Sequence, residues 1–472
     1  MVGVARAPSH TLESKVMTMT SLETDGGLRV VRRDAPEWDD ERRAWNLTVD
    51  QQPEAIVVTD SARTVVEGVG YARENGLRVA VQATGHGAAP VGPLNGTLLL
   101  RTDRLRGVDI DVDARVARVQ AGTLWGQVVE AAARHGLAPL SGSAADIGAV
   151  GYTLGGGISF LGRKFGLAAH AVVAADVVTA DGALVRADED ANPELLWGLR
   201  GGGGNLGAVT TLEVRLFPLA EVYAGVLWFP FDRASEVLHA WTELCRDELP
   251  EELTTLGRLL QLPPLEEIPE PVRGKSFAIV EVIHCGDPAE ADKLLEPLRG
   301  LGADMDTVQV TPMPELSRLH MDPEHPVPSV GDGLLLESLP SEAVDELARV
   351  AGPGSGSPLL SVEVRQLGGA LGRPRPEHAV LASVAGDFAL YAVGIAMTPE
   401  LAGACTTHLG AVSEALSPWT ASQMVANFAE TSRDPASFWG EAAHARLCEL
   451  KRSLDPEDMF RSNHPIVPST EP

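Results

Sequence analysis

The chain has 472 residues, of which 44% are hydrophobic and 22% are charged, and its formal net charge at pH 7 is −27. This length exceeds one ordinary hydrophobic core, so the sequence predicts a globular protein of two or three domains. Nucleic acid and an anionic membrane surface would both repel so acidic a protein, and we therefore expect neither as a partner.

Residues 1–25 are rich in Ser, Thr and Gly and lack the apolar core of a signal peptide, so they predict a flexible tail and no export. The four cysteines, Cys245, Cys285, Cys405 and Cys448, are widely spaced among apolar neighbours. Without a CxxC pair or a regular framework, they predict reduced thiols in a cytoplasmic protein. No apolar run reaches transmembrane length.

Between residues 36 and 218, strand-like and helix-like segments alternate. Residues 55–58 predict an apolar strand, and Asp60 or Ser61 then caps a helix whose apolar residues recur every three or four positions as far as Gly76. The other elements predicted in this region are strands at 78–82, 108–112, 116–120, 172–179, 183–186 and 208–216 and helices at 124–135, 158–165 and 193–199.

Past residue 218 the predicted strands become longer. They lie at 222–229, 253–262, 277–284, 359–366 and 388–397, with helices at 233–245, 289–298, 341–350 and 399–415. Long strands separated by helices predict an α+β fold with a wide, antiparallel sheet. Residues 418–472 are too few for a domain, so we expect them to pack on one of the other two.

Three glycine-rich turns occur in the first part of the chain, at residues 82–87, 148–157 and 201–207. Small residues let main-chain N–H groups converge on an anion, so three such turns predict a large ligand that carries phosphate. The third turn satisfies G-x-G-x-x-G, but it follows a helix and precedes a strand, which is the reverse of the Rossmann order. The sequence contains no HExxH motif, no GxSxG turn after a strand and no residues with the spacing of metal ligands. We therefore expect no metal.

The order of these motifs resembles the flavin-linked oxidases of the vanillyl-alcohol-oxidase (PCMH-type) superfamily, in particular bacterial members of the berberine-bridge-enzyme-like branch. The resemblance covers residues 38–468 and rests on four segments: Gln-Ala-Thr-Gly-His-Gly at 82–87, the glycine run at 200–210, Val-Glu-Val-Arg-Gln-Leu-Gly-Gly-Ala at 362–370, and the segment at 454–466.

The resemblance implies a two-part FAD-binding domain, made of residues 26–218 and 418–472, and an α+β substrate-binding domain at 219–417. It implies that FAD is bound covalently, with His86 joined to the 8α-methyl group of the flavin. The other cofactor-binding residues that it implies are Gln82, Ala83, Thr84, Gly85, Gly87, Ser143, Ala144, Ile147, Gly148, Gly151, Gly155, Gly157, Asn205, Gly207, Val209, Asn427 and Asn463.

The sequence departs from the family pattern at three places. Ala144 stands where many relatives have a second tethering cysteine, so we expect a single covalent bond. Ile147 stands where valine accompanies rapid reaction with dioxygen, which puts prompt oxidase activity in question. Residues 425–428 read Val-Ala-Asn-Phe where bacterial relatives often carry catalytic tyrosines.

Candidate catalytic residues must therefore come from elsewhere. Tyr152 and Tyr391 are the candidate phenols, and Glu363 and Gln366 lie on the strand that the resemblance places beside the flavin. Alternation puts Glu363 and Arg365 on one face of that strand and Gln366 on the other, and either face could be directed at the flavin.

The function implied is that of an FAD-dependent oxidoreductase that removes a hydride from an organic substrate, by alcohol or C–H oxidation in secondary metabolism. Dioxygen or another acceptor would then reoxidise the flavin. The alternative is a flavin-containing cyclase or isomerase that performs no net redox reaction. The expected partners are a small-molecule substrate and dioxygen, and the expected state is a monomer or a homodimer.

Overall fold

The computed structural model describes residues 24–25, 28–246, 249–266, 268 and 270–467. The flexible tail predicted at 1–25 lies outside the described residues apart from Thr24–Asp25, which pair with the strand that begins at Leu28. Helices and strands are mixed throughout, and the α+β class that the sequence predicts is confirmed.

The first sheet has the order β1-β2-β3-β5-β4, with β3 and β4 both parallel to β5. The strands are β1 (Thr24–Asp25), β2 (Leu28–Val31), β3 (Ala55–Val58), β4 (Arg78–Gln82) and β5 (Thr97–Arg101). A helix with Ser61 as its N-cap connects β3 to β4, and Gly68 on it lets the helix approach this sheet closely, because a Cβ there would lie 2.6 Å from Leu100.

The second sheet is antiparallel, with the order β10-β9-β11-β7-β6. Its strands are β6 (Val108–Asp111), β7 (Val116–Gln120), β9 (Val172–Val178), β10 (Leu184–Ala187) and β11 (Ala208–Arg215), and a short pair is formed by β8 (Leu137–Ala138) and β12 (Phe217–Pro218). These strands agree with the predicted ones to within two residues, apart from the short pair, which was not predicted.

The third sheet has eight strands, all antiparallel, in the order β16-β13-β15-β14-β19-β20-β18, with β17 paired to β13. It consists of β13 (Glu221–Pro230), β14 (Leu253–Gln261), β15 (Ser276–His284), β16 (Met305–Asp306), β17 (Gln309–Pro312), β18 (Ser329–Leu336), β19 (Ser361–Gln366) and β20 (Phe388–Ile395). The large antiparallel sheet is thereby confirmed.

The helices are α1 (Trp38–Glu41), α2 (Ala62–Glu74), α3 (Trp125–Ala133), α4 (Ala149–Leu154), α5 (Gly162–Phe165), α6 (Pro193–Leu199), α7 (Ala234–Arg246), α8 (Pro288–Arg299), α9 (Met313–Leu316), α10 (Ser341–Ala351), α11 (Pro399–Leu416), α12 (Ala436–Trp439) and α13 (Glu441–Leu454). The helix predicted at 158–165 is shorter in the structure and begins at Gly162, after a stretch in which Gly156 and Gly157 adopt positive φ.

The segment after α13 returns to the first sheet. The amide of Val79 donates to the carbonyl of Met459 at 2.7 Å, and the amide of Arg461 donates to the carbonyl of Val79 at 2.8 Å. The fully buried ammonium of Lys451 bonds to Asp455 at 2.5 Å and to the carbonyl of Phe460 at 3.1 Å. Residues 459–461 therefore extend the sheet along the edge of β4.

Candidate active site

A cavity of about 430 Å³ lies between the turn after β4, residues 142–158 and one face of the eight-stranded sheet. Residues 203–209 and 461–463 also line it. The first and second sheets therefore contribute their glycine-rich turns to the same space into which the third sheet directs its side chains.

The turn after β4 places His86 in this cavity. Gly85 has a φ of +88°, and a Cβ at this position would lie 2.9 Å from the backbone of Ala44, so only glycine fits. The imidazole stacks on the indole of Trp45 with ring centroids 4.3 Å apart. His86 is thus fixed between its own tight turn and an aromatic side chain from the preceding segment.

The imidazole of His86 is uncharged. Burial lowers the pKa of His86 to about 3, even though Asp146 Oδ1 lies 3.7 Å from its Nε2. Burial also raises the pKa of Asp146, whose Oδ2 accepts a 2.6 Å hydrogen bond from Trp45 Nε1. Nδ1 lies 2.8 Å from the hydroxyl of Thr84, whereas Nε2 is buried without a hydrogen-bond partner.

The second glycine-rich segment runs past this turn through α4. A Cβ on Gly148 would come within 3.3 Å of Ala83, so α4 begins beside the His86 turn. At its other end, Asn427 accepts a hydrogen bond from the amide of Gly157 at 2.8 Å and donates one to the carbonyl of Tyr152 at 3.1 Å. Asn427 therefore connects the glycine segment to residues that follow the third sheet.

The phenol of Tyr152 lies in a narrow slot. A Cβ on Gly142 would lie 3.0 Å from its ring and a Cβ on Gly157 would lie 2.5 Å from it, so both positions exclude larger side chains. The hydroxyl of Tyr152 is buried and has no hydrogen-bond partner. Burial raises the pKa of Tyr152, so the phenol stays protonated.

A row of paired residues crosses the third sheet under the cavity. Arg258 on β14 pairs with Glu363 on β19, which pairs with Tyr391 on β20, which in turn pairs with Gly333 on β18. Residues paired across antiparallel strands share a face, and Arg258, Glu363 and Tyr391 all line the cavity. This row forms the polar side of the site.

His320 connects two buried carboxylates, one of which, Glu363, belongs to that row. Its Nδ1 lies 2.8 Å from Glu281 and its Nε2 lies 2.7 Å from Glu363. Burial and Arg258 lower the pKa of His320. The carboxylates of Glu281, Glu363 and Asp322 outweigh them and raise the pKa of His320 to about 10. Although burial acts the other way, His320 and Arg365 lower the pKa of Glu363 to about 2. His320 is therefore an imidazolium and Glu363 a carboxylate.

Tyr391 donates a hydrogen bond to Glu430, which follows Asn427 and Phe428 in the chain. Burial, Glu430 and Glu363 raise the pKa of Tyr391 well above its usual value, and burial and Asp332 raise the pKa of Glu430. Gly331 leaves room for the pair, since a Cβ there would lie 2.6 Å from the phenol oxygen.

Most site residues predicted from the sequence line this one cavity. Those that do so are Gln82, Ala83, Thr84, Gly85, His86, Gly87, Ser143, Ala144, Ile147, Gly148, Gly151, Tyr152, Gly155, Gly207, Val209, Glu363, Tyr391, Asn427 and Asn463.

Three predicted residues are placed differently. Gly157 is packed against the ring of Tyr152. Asn205 is buried, and its Nδ2 donates to the carbonyl of His464 while its Oδ1 accepts a hydrogen bond from the amide of Ile466. Gln366 lies on the opposite face of β19 from Glu363, where it accepts a hydrogen bond from Thr255 at 3.3 Å. Since neighbouring residues of a strand face opposite sides, Gln366 is not brought to the cavity, and its candidacy as a catalytic residue is corrected.

Sequence reasoning missed Trp45, Asp146, Arg258, His320 and Glu430. Arg258 and Glu281 stand as single charges within apolar strands, which is a signal of a buried ion pair. His320 and Glu430 lie in irregular segments, where side-chain direction cannot be inferred from periodicity.

The lining of the cavity fits FAD. Five polar atoms of residues that line it are buried without a protein partner: Gln51 Oε1, Gln82 Nε2, His86 Nε2, Tyr152 OH and Arg365 Nε. Glu363 Oε2 has only its ion pair with His320. Buried polar groups nearly always have partners, so these atoms indicate a polar ligand. Glycines at 148, 151, 203 and 204 expose backbone on the side of the glycine-rich turns, as a large phosphate-bearing cofactor requires.

Within the ranges that the structure describes, no helix combines the length and the apolar composition needed to cross a membrane. Nor do three or more His, Cys, Asp or Glu side chains converge in these ranges as they would around a metal ion.

Comparison with known proteins gives a consistent result. Residues 53–188 match a family described as an FAD binding domain. The chain is 29% identical to (R)-6-hydroxynicotine oxidase of Paenarthrobacter nicotinovorans over 97% of this chain and 99% of that protein. It is 26% identical to an FAD-linked oxidoreductase of Bacillus subtilis over 93% and 97% of the two chains.

Solved structures show the same fold. The 6-hydroxy-D-nicotine oxidase of Arthrobacter nicotinovorans superimposes with a TM-score of 0.79 at 24% identity, covering 96% of this chain and 100% of that one. The BBE-like 1 protein of Physcomitrella patens gives 0.82 at 18% identity, covering 94% and 98%. Relatives named as oxidases do not favour the non-redox alternative. The chain carries an FAD-binding domain and is a flavin-dependent oxidoreductase, similar to the FAD-linked oxidases of the vanillyl-alcohol-oxidase (PCMH-type) superfamily.

Proposed function

We propose that this protein oxidises a small organic molecule at a carbon that bears a hydroxyl or amino group, using FAD that is bonded covalently to His86. The observation that carries the proposal is the cavity itself, which has a neutral His86 on one side and the Tyr391–Glu430 pair on the other. Relatives include proteins named as oxidases of 6-hydroxynicotine, of xylooligosaccharides and of glucooligosaccharides.

In the proposed reaction a carbon–hydrogen bond of the substrate would break, and bound FAD would supply the acceptor for its hydride, which carries both electrons. The hydroxyl or amino group loses its proton, and a C=O or C=N bond forms. Dioxygen then takes two electrons and two protons and becomes hydrogen peroxide.

Tyr391 and Glu430 are proposed to accept the substrate proton. The phenol oxygen of Tyr391 receives it while the phenol passes its own proton to Glu430, to which it is already hydrogen-bonded. Proton removal by positioned side chains contributes about 10²–10⁴ to catalytic rates. Glu363, held as a carboxylate by His320, would orient the substrate beside Tyr391.

The same geometry supports the tether. A proton on Nδ1 of His86 can be donated to Thr84, which leaves the lone pair on Nε2 free to form the bond to the 8α carbon. Formation of this bond would release the imidazole proton and one proton of the 8α-methyl group, and dioxygen would take up the two electrons. Because Ala144 offers no thiol, the bond would be the single covalent one.

We further propose that residues 26–218 and 418–472 hold FAD and that residues 219–417 bind the substrate. Asn205 would act by fixing the segment around His464, and Ile147, which lines the cavity, would restrict access of dioxygen. The cytoplasmic location, and the monomeric or homodimeric state, stay predictions.

Acid precipitation tests the tether. Wild-type protein should give a yellow, fluorescent pellet, and His86→Ala should release all flavin into the supernatant. His239→Ala, a change of the same kind at a histidine that pairs with Asp345 outside the cavity, should keep the pellet yellow. Free flavin from the wild type would refute the covalent bond.

A further inference from the structure

The strands of the large sheet cross the cavity from an inner end to an outer end. At the inner end, Arg365 on β19 donates a hydrogen bond to the carbonyl of Ile158, in the glycine-rich segment, at 3.2 Å. At the outer end, the carbonyl of Ser329 on β18 accepts a 3.0 Å hydrogen bond from Asn46. Asn46 follows Trp45, which stacks on the histidine of the turn after β4. The outer end therefore lies on the side of that turn.

Beyond the polar row that crosses β14, β19 and β20, this face of the sheet becomes apolar towards its outer end. In the next row Leu260 pairs with Ser361, which pairs with Val393. In the row after that, Ile395 pairs with Ser329. All five residues line the cavity. Because a strand rises about 3.4 Å per residue, each of these two outer rows lies about 7 Å beyond the one before it.

Polar groups of the two outer rows are bonded within the protein. The hydroxyl of Ser361 accepts a 2.7 Å hydrogen bond from Arg258 Nε. The carbonyl and the amide of Ser329 bond to the side chain of Asn46 at 3.0 and 3.2 Å. A ligand segment that lies over the outer rows therefore meets chiefly aliphatic side chains.

The rim of the cavity is apolar as well. Met321, in the loop before β18, lines the cavity although it is 39% exposed, and Val393 and Ile395 are half-buried. The loop is joined to the glycine-rich segment, since Asp322 accepts a 2.7 Å hydrogen bond from Ser143. Apolar side chains held in contact with water favour a ligand that covers them with apolar surface.

We propose that the two outer rows bind an unbranched apolar tail of the substrate, so that the substrate class is an alcohol or an amine that carries such a tail. The reacting carbon lies at the polar row beside Tyr391, and the tail runs about 7–13 Å outward, past Val393 to Ile395. Sugar hydroxyls at these positions would lose water without gaining protein partners, which disfavours an oligosaccharide. This inference rests on the proposed function for which end of the substrate reacts.

The test is a series of ligands of increasing chain length. Butyl, hexyl and octyl primary amines and primary alcohols are added to the FAD-loaded protein, and binding is measured from the flavin absorption spectrum and from the melting temperature, neither of which requires turnover. In the series that binds better, affinity should rise about fourfold for each added methylene. Equal affinities for butyl and octyl compounds, or tighter binding of cellotriose than of every octyl compound, would overturn the proposal.

Two substitutions locate the tail. Val393→Thr keeps a β-branched side chain but places a hydroxyl in the first outer row, so it should weaken binding of the hexyl and octyl compounds about tenfold and leave the butyl compound unchanged. Ile395→Thr, one row further out, should weaken only the octyl compound. The matched control is Val330→Thr, since Val330 pairs with Gly394 on the opposite face of the same sheet. Wild-type octyl affinity in both cavity variants would also overturn the proposal.

Failure of the tail and failure of the proposed oxidation can be distinguished. If no bound compound bleaches the flavin, the oxidation is refuted, while the dependence of affinity on chain length still tests the tail. If bleaching occurs but affinity does not depend on chain length, the oxidation stands and the tail is refuted. If Val393→Thr does not fold, Ile395→Thr at the rim decides.

Discussion

The phenol of Tyr391 donates its hydrogen bond to Glu430, although the two residues come from a strand of the large sheet and from an irregular segment that follows it. Asp332 fixes the position of Glu430, because Asp332 Oδ1 accepts a 3.2 Å hydrogen bond from the amide of Glu430. Arg433 holds Asp332 in turn at 2.5 Å. A phenol and a carboxylate are thus presented to the cavity as one unit.

Turnover should depend on the ionisation of Glu430. Burial and Asp332 raise the pKa of Glu430, and Glu363 and Asp322 contribute to the raised pKa of Tyr391. Below the raised pKa the carboxyl holds a proton and cannot accept another, so activity should fall as the pH falls through it. The measurement is the rate of anaerobic flavin bleaching between pH 5 and 9, with the best substrate from a panel of amines and alcohols.

Glu430→Gln should slow bleaching by about a hundredfold or more and remove this acid limb. Glu430→Asp should restore part of the rate and the pH dependence. A Glu430→Gln protein with the rate and pH profile of the wild type would refute the role of Glu430.

Gly331→Ala should separate the Tyr391–Glu430 pair. The new Cβ would lie 2.6 Å from the phenol oxygen and 3.1 Å from Glu430 Oε1, so one of them must move. We expect bleaching to slow by at least about tenfold, a change of about 1.4 kcal/mol in activation free energy, while FAD stays bound. The matched control is Gly70→Ala, where a Cβ meets nothing within 4 Å on helix α2 and should raise stability by about 0.5–1 kcal/mol. Equal rates in the two variants would contradict the prediction.

Thr84→Val should slow formation of the flavin bond. The hydroxyl of Thr84 lies 2.8 Å from His86 Nδ1, and without it nothing selects the tautomer that leaves Nε2 free. Apoprotein incubated with FAD should still turn yellow, but the acid-stable fraction should grow about tenfold more slowly. Thr406→Val is the control, because that hydroxyl bonds only to the carbonyl of Ala402 within its own helix. Bond formation at the wild-type rate in Thr84→Val would show that Thr84 does not set the tautomer.

His320→Gln should change how stability depends on pH. The pKa of His320 is about 10 in the folded protein and about 6.5 in an unfolded chain, so its contribution is complete below about pH 6.5 and is lost as the pH rises towards 10. The slope of this loss reaches about 1.4 kcal/mol per pH unit. Glu363 acts in the opposite sense, since its lowered pKa makes its contribution full above about pH 4.5 and lost towards pH 2.

Urea unfolding at several pH values measures this effect. His320→Gln should be destabilised by about 3–5 kcal/mol near pH 6, since it leaves Glu281 and Glu363 without their cation. The difference from wild type should shrink towards pH 10. His239→Gln, a partly exposed histidine, should follow the wild-type curve. A constant difference across pH would show that His320 is not charged in the folded protein.

Elements with one clear period could be predicted from the sequence. Helix α2 has regular apolar spacing and a serine cap, and β19 alternates so that Glu363 and Arg365 share a face. Strand β18 was missed because Gly331, Asp332 and Gly333 interrupt its apolar pattern, and these glycines are the positions that make room for Tyr391 and Phe428. The residues that interrupt the apolar pattern of β18 are therefore the ones that shape the candidate active site.

The turn of His86 could be located because a glycine-rich motif directly after an apolar strand can be recognised in the sequence alone. The partners of Tyr391 and Glu363 could not, because Glu430 and His320 reach them across 39 and 43 residues from segments without regular structure. A single sequence does not specify such pairings, because they depend on which irregular segments pack over the sheet once it has formed.

The contacts of Val79 with Met459 and Arg461 also bear on the order of synthesis. A ribosome makes β4 and its histidine turn early, yet the strand edge beside that turn is completed only by residues made about 380 positions later. A nascent chain that has not yet reached residue 461 therefore has no finished strand edge beside this turn. The proposed attachment of the flavin to His86 would accordingly follow synthesis of residues 459–461.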